Sequence, residues 1–238
     1  LAQIQAALEK NDINSAMLIL EALRTQDQAE VIYELEDEEK RALLPFLDPS
    51  VTADILEEFE DEEVAELFSK LDSESAIRIV DEMDPDEAAD LLGDIPDEQA
   101  AEILAGMEHP DEVRPLLIHP DDSAGGLMTS EFIALRCKMT AADAIEVLRT
   151  YKPESEDIYY LFVVDADDLL SGVVGLRDLI TSDPHLLLDE IMDPQVVAVT
   201  AGTDQEECAR LISKYNLLAL PVINEYRKLL GVITVDDV

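Results

Sequence analysis

The chain has 238 residues, enough for one or two domains with a sizeable core. Sixteen Lys and Arg face 56 Asp and Glu, a formal charge of −40 that argues against nucleic acid as a partner, because binding phosphates requires basic patches. Disorder is a poor explanation of the acidity, since 47% of residues are hydrophobic and they recur with clear periods, yet no uncharged apolar run approaches the roughly 18 residues of a membrane-spanning helix.

Split after Met128, the first part holds 7 basic and 36 acidic side chains and the second 9 and 20, which predicts two domains. In the first, Leu23, Leu35, Leu47, Phe59, Leu71, Met83, Ile95 and Met107 fall twelve apart. Apolar pairs such as Ile55 with Leu56, Ile79 with Val80 and Leu91 with Leu92 keep the same beat. Asp48 with Pro49, Asp72, and Asp84 with Pro85 stand where each unit would begin, as N-caps and first-turn prolines. Each unit therefore reads as a short helix and a turn. Helices of about eight residues are unstable alone, so the units must stack into a right-angled or superhelical array.

Most acids on such an array form a solvated outer face. The positions Asp54, Glu66, Arg78, Asp90 and Glu102 share one face of it. Asp86 lies four residues before Asp90, so both carboxylates share a helical face and repel by about a few tenths of a kcal/mol. A bound cation would remove that penalty. Residues 108–124, with His109–Pro110 and His119–Pro120, read as a last helix and a connector, and Gly125–Gly126 ends the pattern.

The second domain is internally duplicated. Residues 127–148 align with 191–212 at an offset of 64, and 160–180 with 219–238 at an offset of 59; the first copy carries five extra residues near Pro153. Each copy reads as a short strand, a helix, two strands around a turn and a second helix. Cys137 and Cys208 stand alone, which gives neither a disulfide framework nor a thiolate zinc site and fits a reducing compartment. His109, His119 and His185 read as loop residues beside prolines, and nothing forms a catalytic constellation, so no enzyme is expected. Met128, Met139 and Met192 read as packing. No signal peptide opens the chain, and its start at Leu1 and end at Val238 suggest a piece of something longer.

The paired copies, opening at Met128 or Met192 and closing in GVVGLRD or GVITVDD, resemble tandem CBS domains, the Bateman module. SAGGLMT (123–129), IYY (158–160), LRDLI (176–180), EIMDP (190–194) and TDQEE (203–207), together with the acidic repeats, resemble the cytosolic region of MgtE-type magnesium transporters over the whole chain. The fold class this implies is α followed by α/β: a right-handed superhelical array of short helices (1–126), then CBS domain 1 (127–190) and CBS domain 2 (191–238).

The resemblance further implies a homodimer paired through the CBS domains at the cytoplasmic face of the membrane. The full-length protein would continue past Val238 through a connecting helix into a transmembrane pore domain. Its ligand is Mg2+, bridging acids of the two domains and favouring closure of the pore. Carried over by motif, the metal-bridging residues are Asp54, Asp86 and Asp90 in the first domain and Asp204, Glu206, Asn216, Asp236 and Asp237 in the second. Asn216 departs from the acid common in the family and predicts a weaker or wetter site there. The alternative, also implied by the CBS resemblance, is an energy sensor binding adenine nucleotides such as ATP through Tyr160, Arg177 and Asp178, with Thr234 and Asp237 in the second copy. Gly175 stands where the first copy's hydroxyl is expected, which leaves one cleft partly disabled, and Tyr160 could stack on a base, although a half-buried Tyr beside a strand is more often core. A third reading is a purely structural dimerisation platform.

Overall fold

The computed structural model describes residues 1–56, 58–59, 61–69, 71–151, 160–235 and 238, which form two compact units, Leu1–Leu117 and Ile118–Val238. The first unit is helical among the described residues: α1 (Ala2–Leu8), α2 (Ile13–Leu20), α3 (Thr25–Tyr33), α4 (Asp37–Leu43), a 3-10 turn (Leu44–Phe46), α5 (Pro49–Leu56), α6 (Asp61–Phe68), α7 (Ser73–Val80), α8 (Pro85–Asp94), α9 (Asp97–Gly106) and α10 (Pro110–Val113).

The twelve-residue beat has a structural meaning. The apolar pairs lie at or near the end of their helices and are buried, as with Ile55 and Leu56, Ile79 and Val80, and Leu91 and Leu92, while Leu35, Leu47, Met83, Ile95 and Met107 are buried just beyond the helix ends. From α3 onward the helices form two rows, α3 on α5, α5 on α7 and α7 on α9, and α6 on α8 and α8 on α10, while α1 packs on α2 and α4. Short helices thus bury their stripes on neighbours rather than on a central core. Leu23 departs from the pattern at 36% exposure, near the start of the array where few units cover it, and Phe59 and Leu71 are half-buried. Polar cross-links help hold the rows, since Gln99 Nε2 donates to the Phe68 carbonyl closing α6 (2.8 Å) and Glu108 N–H to Asp81 Oδ1 (2.8 Å). Asp72 caps α7 by accepting from Ser75 N–H at 3.0 Å and Asp48 accepts from Ser50 N–H at 3.2 Å, whereas Asp84 holds the cap position of α8 without the capping bond and leaves helix initiation to Pro85.

The second unit contains β1 (Ala134–Arg136), α11 (Ala141–Tyr151), β2 (Tyr160–Val164), β3 (Leu170–Gly175), α12 (Leu176–Thr181), α13 (Leu188–Ile191), β4 (Val199–Thr200), α14 (Gln205–Tyr215), β5 (Ala219–Ile223) and β6 (Leu229–Thr234). The bounds of α11 and α14 differ by 64, and those of β2 and β5, and β3 and β6, by 59, so the duplication holds residue by residue. The five extra residues near Pro153 lie outside the described residues. The sheets run β1-β2-β3 and β4-β5-β6, each with one parallel and one antiparallel pair and a bulge at equivalent sites, Val163/Val164 and Val222/Ile223. In β2, Leu161 and Val163 face the first copy's helices while Phe162 joins Leu170, Leu229 and Val232 in a core shared by both copies. Burial on both faces explains the unbroken apolar run LFVV. The hairpin turns also join, Leu170 N–H donating to the Arg227 carbonyl at 2.9 Å, and both turns place a non-glycine residue at positive φ, Asp168 (63°) and Arg227 (65°).

The copies exchange their leading segments. Thr129, ahead of the first copy, pairs with Val232 of the second, and Asp193, ahead of the second, pairs with Val173 of the first. Ser123 likewise pairs with Asp204, and Leu187 with Thr140. Met128 and Met192 pack, as expected, on glycines: a Cβ at Gly231 would lie 2.7 Å from Met128 Sδ and 2.6 Å from the Thr129 carbonyl, and one at Gly172 2.5 Å from Met192 Sδ. Gly126 is equally crowded by backbone, whereas Gly93 and Gly202 face open space.

Gly231→Ala and Gly172→Ala should therefore each destabilise the second unit by about 1–3 kcal/mol through overpacking, while Gly202→Ala changes little and Gly93→Ala, within α8, stabilises by about 0.5 kcal/mol. Urea denaturation of the four variants checks this; equal effects at Gly231 and Gly202 would contradict the exchanged packing.

Candidate functional site

The acidic residues singled out above fall into separate groups. On the first unit, Asp54, Glu66, Arg78 and Glu102 are exposed and Asp90 is half-buried. Asp86, at 9% exposure, is the buried charged side chain among the described residues. It sits in the first turn of α8, after Pro85, where the unsatisfied N–H groups and the positive end of the helix offset the cost of burying a carboxylate. Asp90 lies one turn further on the same face.

On the second unit, Asp204 is the N-cap of α14 and its Oδ1 accepts from Glu206 N–H at 2.9 Å, so the two acids share one turn. Both are exposed. Asn216 ends the same helix in the left-handed conformation, φ 51° and ψ 49°. That backbone favours Asn for its own sake, a reason for the residue that motif matching overlooks. Eleven helical residues stand between Asp204 and Asn216, about 18 Å at 1.5 Å per residue step, so one ion cannot touch both. Asp236 and Asp237 lie outside the described residues. Among the described residues no three His, Cys, Asp or Glu side chains gather closely enough to hold a metal ion. Among the described residues, Asp86 and Asp90 share a helical face, and Asp204 and Glu206 share one turn.

Of the proposed nucleotide residues, Arg177 and Asp178 are exposed in the first turn of α12, whose N-cap is Gly175. The nearest atom to a Cβ at Gly175 would be Asp178 Oδ2 at 3.5 Å, so packing does not require glycine there. Tyr160 pairs through its backbone with Gly175, and its side chain lies outside the described set.

Other features escaped sequence reasoning. Lys138 forms an ion pair with Asp189, whose hydrogen bond and charge raise the ammonium pKa. Burial, with Asp204 and Glu207 nearby, pushes the Cys208 thiol up. The His119 ring lies over Gly125, its Nδ1 2.7 Å from where a Cβ would stand, so this loop histidine packs against the glycine pair that follows it. Capping holds several carboxyls below their ordinary range: Asp72 by the backbone and hydroxyl of Ser75, Asp12 by the hydroxyl and backbone of Ser15, and Asp143 by the hydroxyl and backbone of Thr140.

An array of acidic helical repeats joined to a duplicated α/β unit with exchanged leading segments defines a CBS-pair module with a helical-repeat partner domain. Residues 23–122 match the MgtE intracellular N domain and residues 124–184 and 188–238 match the CBS domain. The magnesium transporter MgtE of Thermus thermophilus is 49% identical over 127 residues, 53% of this chain and 28% of that protein. Its namesake in Enterococcus faecalis is 41% identical over the same shares. Two crystal structures are similar over 99% of the chain: the soluble part of a magnesium transporter (32% identity, 94% of that chain, TM-score 0.88) and the cytosolic domain of the Mg2+ channel MgtE in complex with ATP (36%, 97%, 0.92). The chain belongs to the MgtE magnesium transporter family and corresponds to its N domain and CBS pair. It spans 28% of the length of these curated relatives. No helix among the described residues is long and apolar enough to cross a membrane.

Two outcomes follow. If Asn216 serves α14 as a helix end, Asn216→Gly should leave stability nearly unchanged and Asn216→Ala should cost about 1 kcal/mol, measured by chemical denaturation; equal losses would contradict that role. The Asp72 carboxyl, with its pKa lowered by folding, contributes stability that is complete above about pH 4 and lost as pH falls through its lowered folded value. Thermal melts from pH 6 to pH 2 should therefore show wild type losing more stability in acid than Asp72→Asn, and parallel curves would refute the assignment.

Proposed function

We propose that this chain is the Mg2+-sensing regulatory part of a magnesium transporter, in which Mg2+ bridges acidic faces of the N domain and the CBS pair and favours the closed pore. The observation that carries it is Asp86, a buried carboxylate held one helical turn from Asp90 in a chain of net charge −40. Similarity to Mg2+ transporters and to an Mg2+ channel supports the same reading.

Mg2+ is small and hard, prefers six oxygens and keeps several of its waters, so two carboxylates on one surface and one or two on another suffice. Acidic surfaces repel at short range, with screening beyond roughly 8 Å, and a divalent ion reverses the local sign. At ten times its dissociation constant one ion favours the bound state by about 1.4 kcal/mol. Moving a population from 1:99 to 99:1 takes about 5.5 kcal/mol, so several ions act together. Asp54, Asp86 and Asp90 would supply ligands from the N domain. Asp204 and Glu206, with Asp236 and Asp237, would supply them from the CBS pair; Asn216, at the far end of α14, would serve a different ion. In this reading the chain is a homodimer through its CBS domains, at the cytoplasmic face of the membrane, acting on a pore domain in the remainder of the protein.

A second ligand is favoured by the ATP complex of the similar channel domain together with the exposed Arg177 and Asp178. ATP in the CBS cleft would tune the Mg2+ response by linkage. Isothermal titration with ATP, ADP and AMP should give heat for at least one, lost in Arg177→Ala; no heat from any would remove this reading.

For Mg2+, limited proteolysis at matched ionic strength is the direct test. Cleavage in the exposed Leu117–Ile118 stretch should slow in millimolar MgCl2 relative to NaCl, and Asp86→Asn/Asp90→Asn should lose at least half of that protection. Identical rates in both salts would exclude Mg2+ bridging.

A further inference from the structure

The two leading segments fasten the start of the other copy's first helix in the same way. Ahead of α11, Ala141 N–H donates to the Leu186 carbonyl (2.9 Å), Leu188 N–H to Met139 (2.9 Å) and Asp189 N–H to Cys137 (3.1 Å). Ahead of α14, at an offset of 64, Gln205 N–H donates to the Asp122 carbonyl (3.0 Å), Ala124 N–H to Thr203 (2.7 Å) and Gly125 N–H to Ala201 (2.8 Å).

The side-chain fastenings differ. Asp189 is locked by Lys138, while the counterparts of that ion pair are Gly125 and Gly202, which have no side chains. In their place the strap folds on itself. His119 covers Gly125, and the Ser123 hydroxyl donates to the Pro120 carbonyl at 2.6 Å. A Cβ on Gly126 would meet the Pro120 carbonyl at 2.5 Å and Asp121 Cα at 2.7 Å, backbone that yields little.

We infer that Asp122–Gly126 is the positioning strap of the Asp204–Glu206 turn, holding those two carboxylates for their ligand; the ligand's identity as Mg2+ rests on the function proposed above. Both neighbours of Asp204 are bonded to the strap, Thr203 through its carbonyl and Gln205 through its N–H. The cap geometry that brings Asp204 Oδ1 onto Glu206 N–H is therefore set from outside α14. Ser123, Gly125 and Gly126 are positioning residues: they carry no ligand atom and fix where the acids stand.

Amide hydrogen exchange on the whole chain tests this with wild type, Gly126→Val and Ser123→Ala, the second retained in case the first fails to fold. Exchange at Gln205–Cys208 should quicken about tenfold while Ala141–Ala144, fastened by the other strap, changes by less than about twofold. The MgCl2 concentration that half-protects Gln205–Cys208 should rise by about fivefold or more in the variants, since misplaced ligands bind more weakly. Unchanged exchange at Gln205–Cys208, or equal quickening at both helix starts, would overturn the strap's positioning role. Local quickening in the variants with no effect of MgCl2 on the wild-type amides would sustain the strap and remove Mg2+ as its ligand.

Discussion

Carboxylates crowded beyond what the basic side chains can neutralise are the constraint under which the rest of this molecule is built. With 56 acids against 16 bases, compactness is opposed by self-repulsion, and the fold answers locally. Apolar pairs at helix ends supply the stacking energy, and acids are stationed where helix starts welcome them, as caps at Asp12, Asp72 and Asp204 and in the first turn of α8 at Asp86. Local answers of this kind leave the longer-range repulsion in place, so whatever cation is at hand enters the energetics of the domains.

The CBS pair resolves a different problem. Each copy has a sheet of three strands, too small to cover its own edge and face. Exchanging leading segments completes the missing pairing, and Leu188, from the segment ahead of the second copy, lies in the core of the first. Two glycines at the same place in each copy admit the crossing chain and its methionine. The copies are thus interlocked, and the start of α14, with its acids, is tied to the segment that connects to the first unit.

What could be read in the residues follows from this. The twelve-residue beat and the duplication are periodic apolar patterns, and both offsets appear in the structure, although among the described residues no helix follows β6, where the sequence predicts the second copy's second helix. The exchange was invisible because it depends on backbone pairing between segments about 20 to 100 positions apart, which leaves only the small-residue requirement at Gly172 and Gly231. Asn216 is explicable by φ alone, and Asp168 and Arg227 take positive φ without the glycine that would advertise it. Asp54, Asp86, Asp90, Asp204 and Glu206 could be chosen from 56 acids through a family resemblance; composition would have ranked them no higher than the rest. Burial of Asp86 and the sharing of one turn by Asp204 and Glu206 are what the structure adds.

Small-angle X-ray scattering of the purified chain at constant ionic strength bears most directly on the claim that a divalent ion offsets this repulsion. The account predicts a smaller radius of gyration in excess MgCl2 than in chelator, with Asp86→Asn/Asp90→Asn falling short of the wild-type contraction. Superimposable wild-type profiles in chelator and in MgCl2 would contradict it.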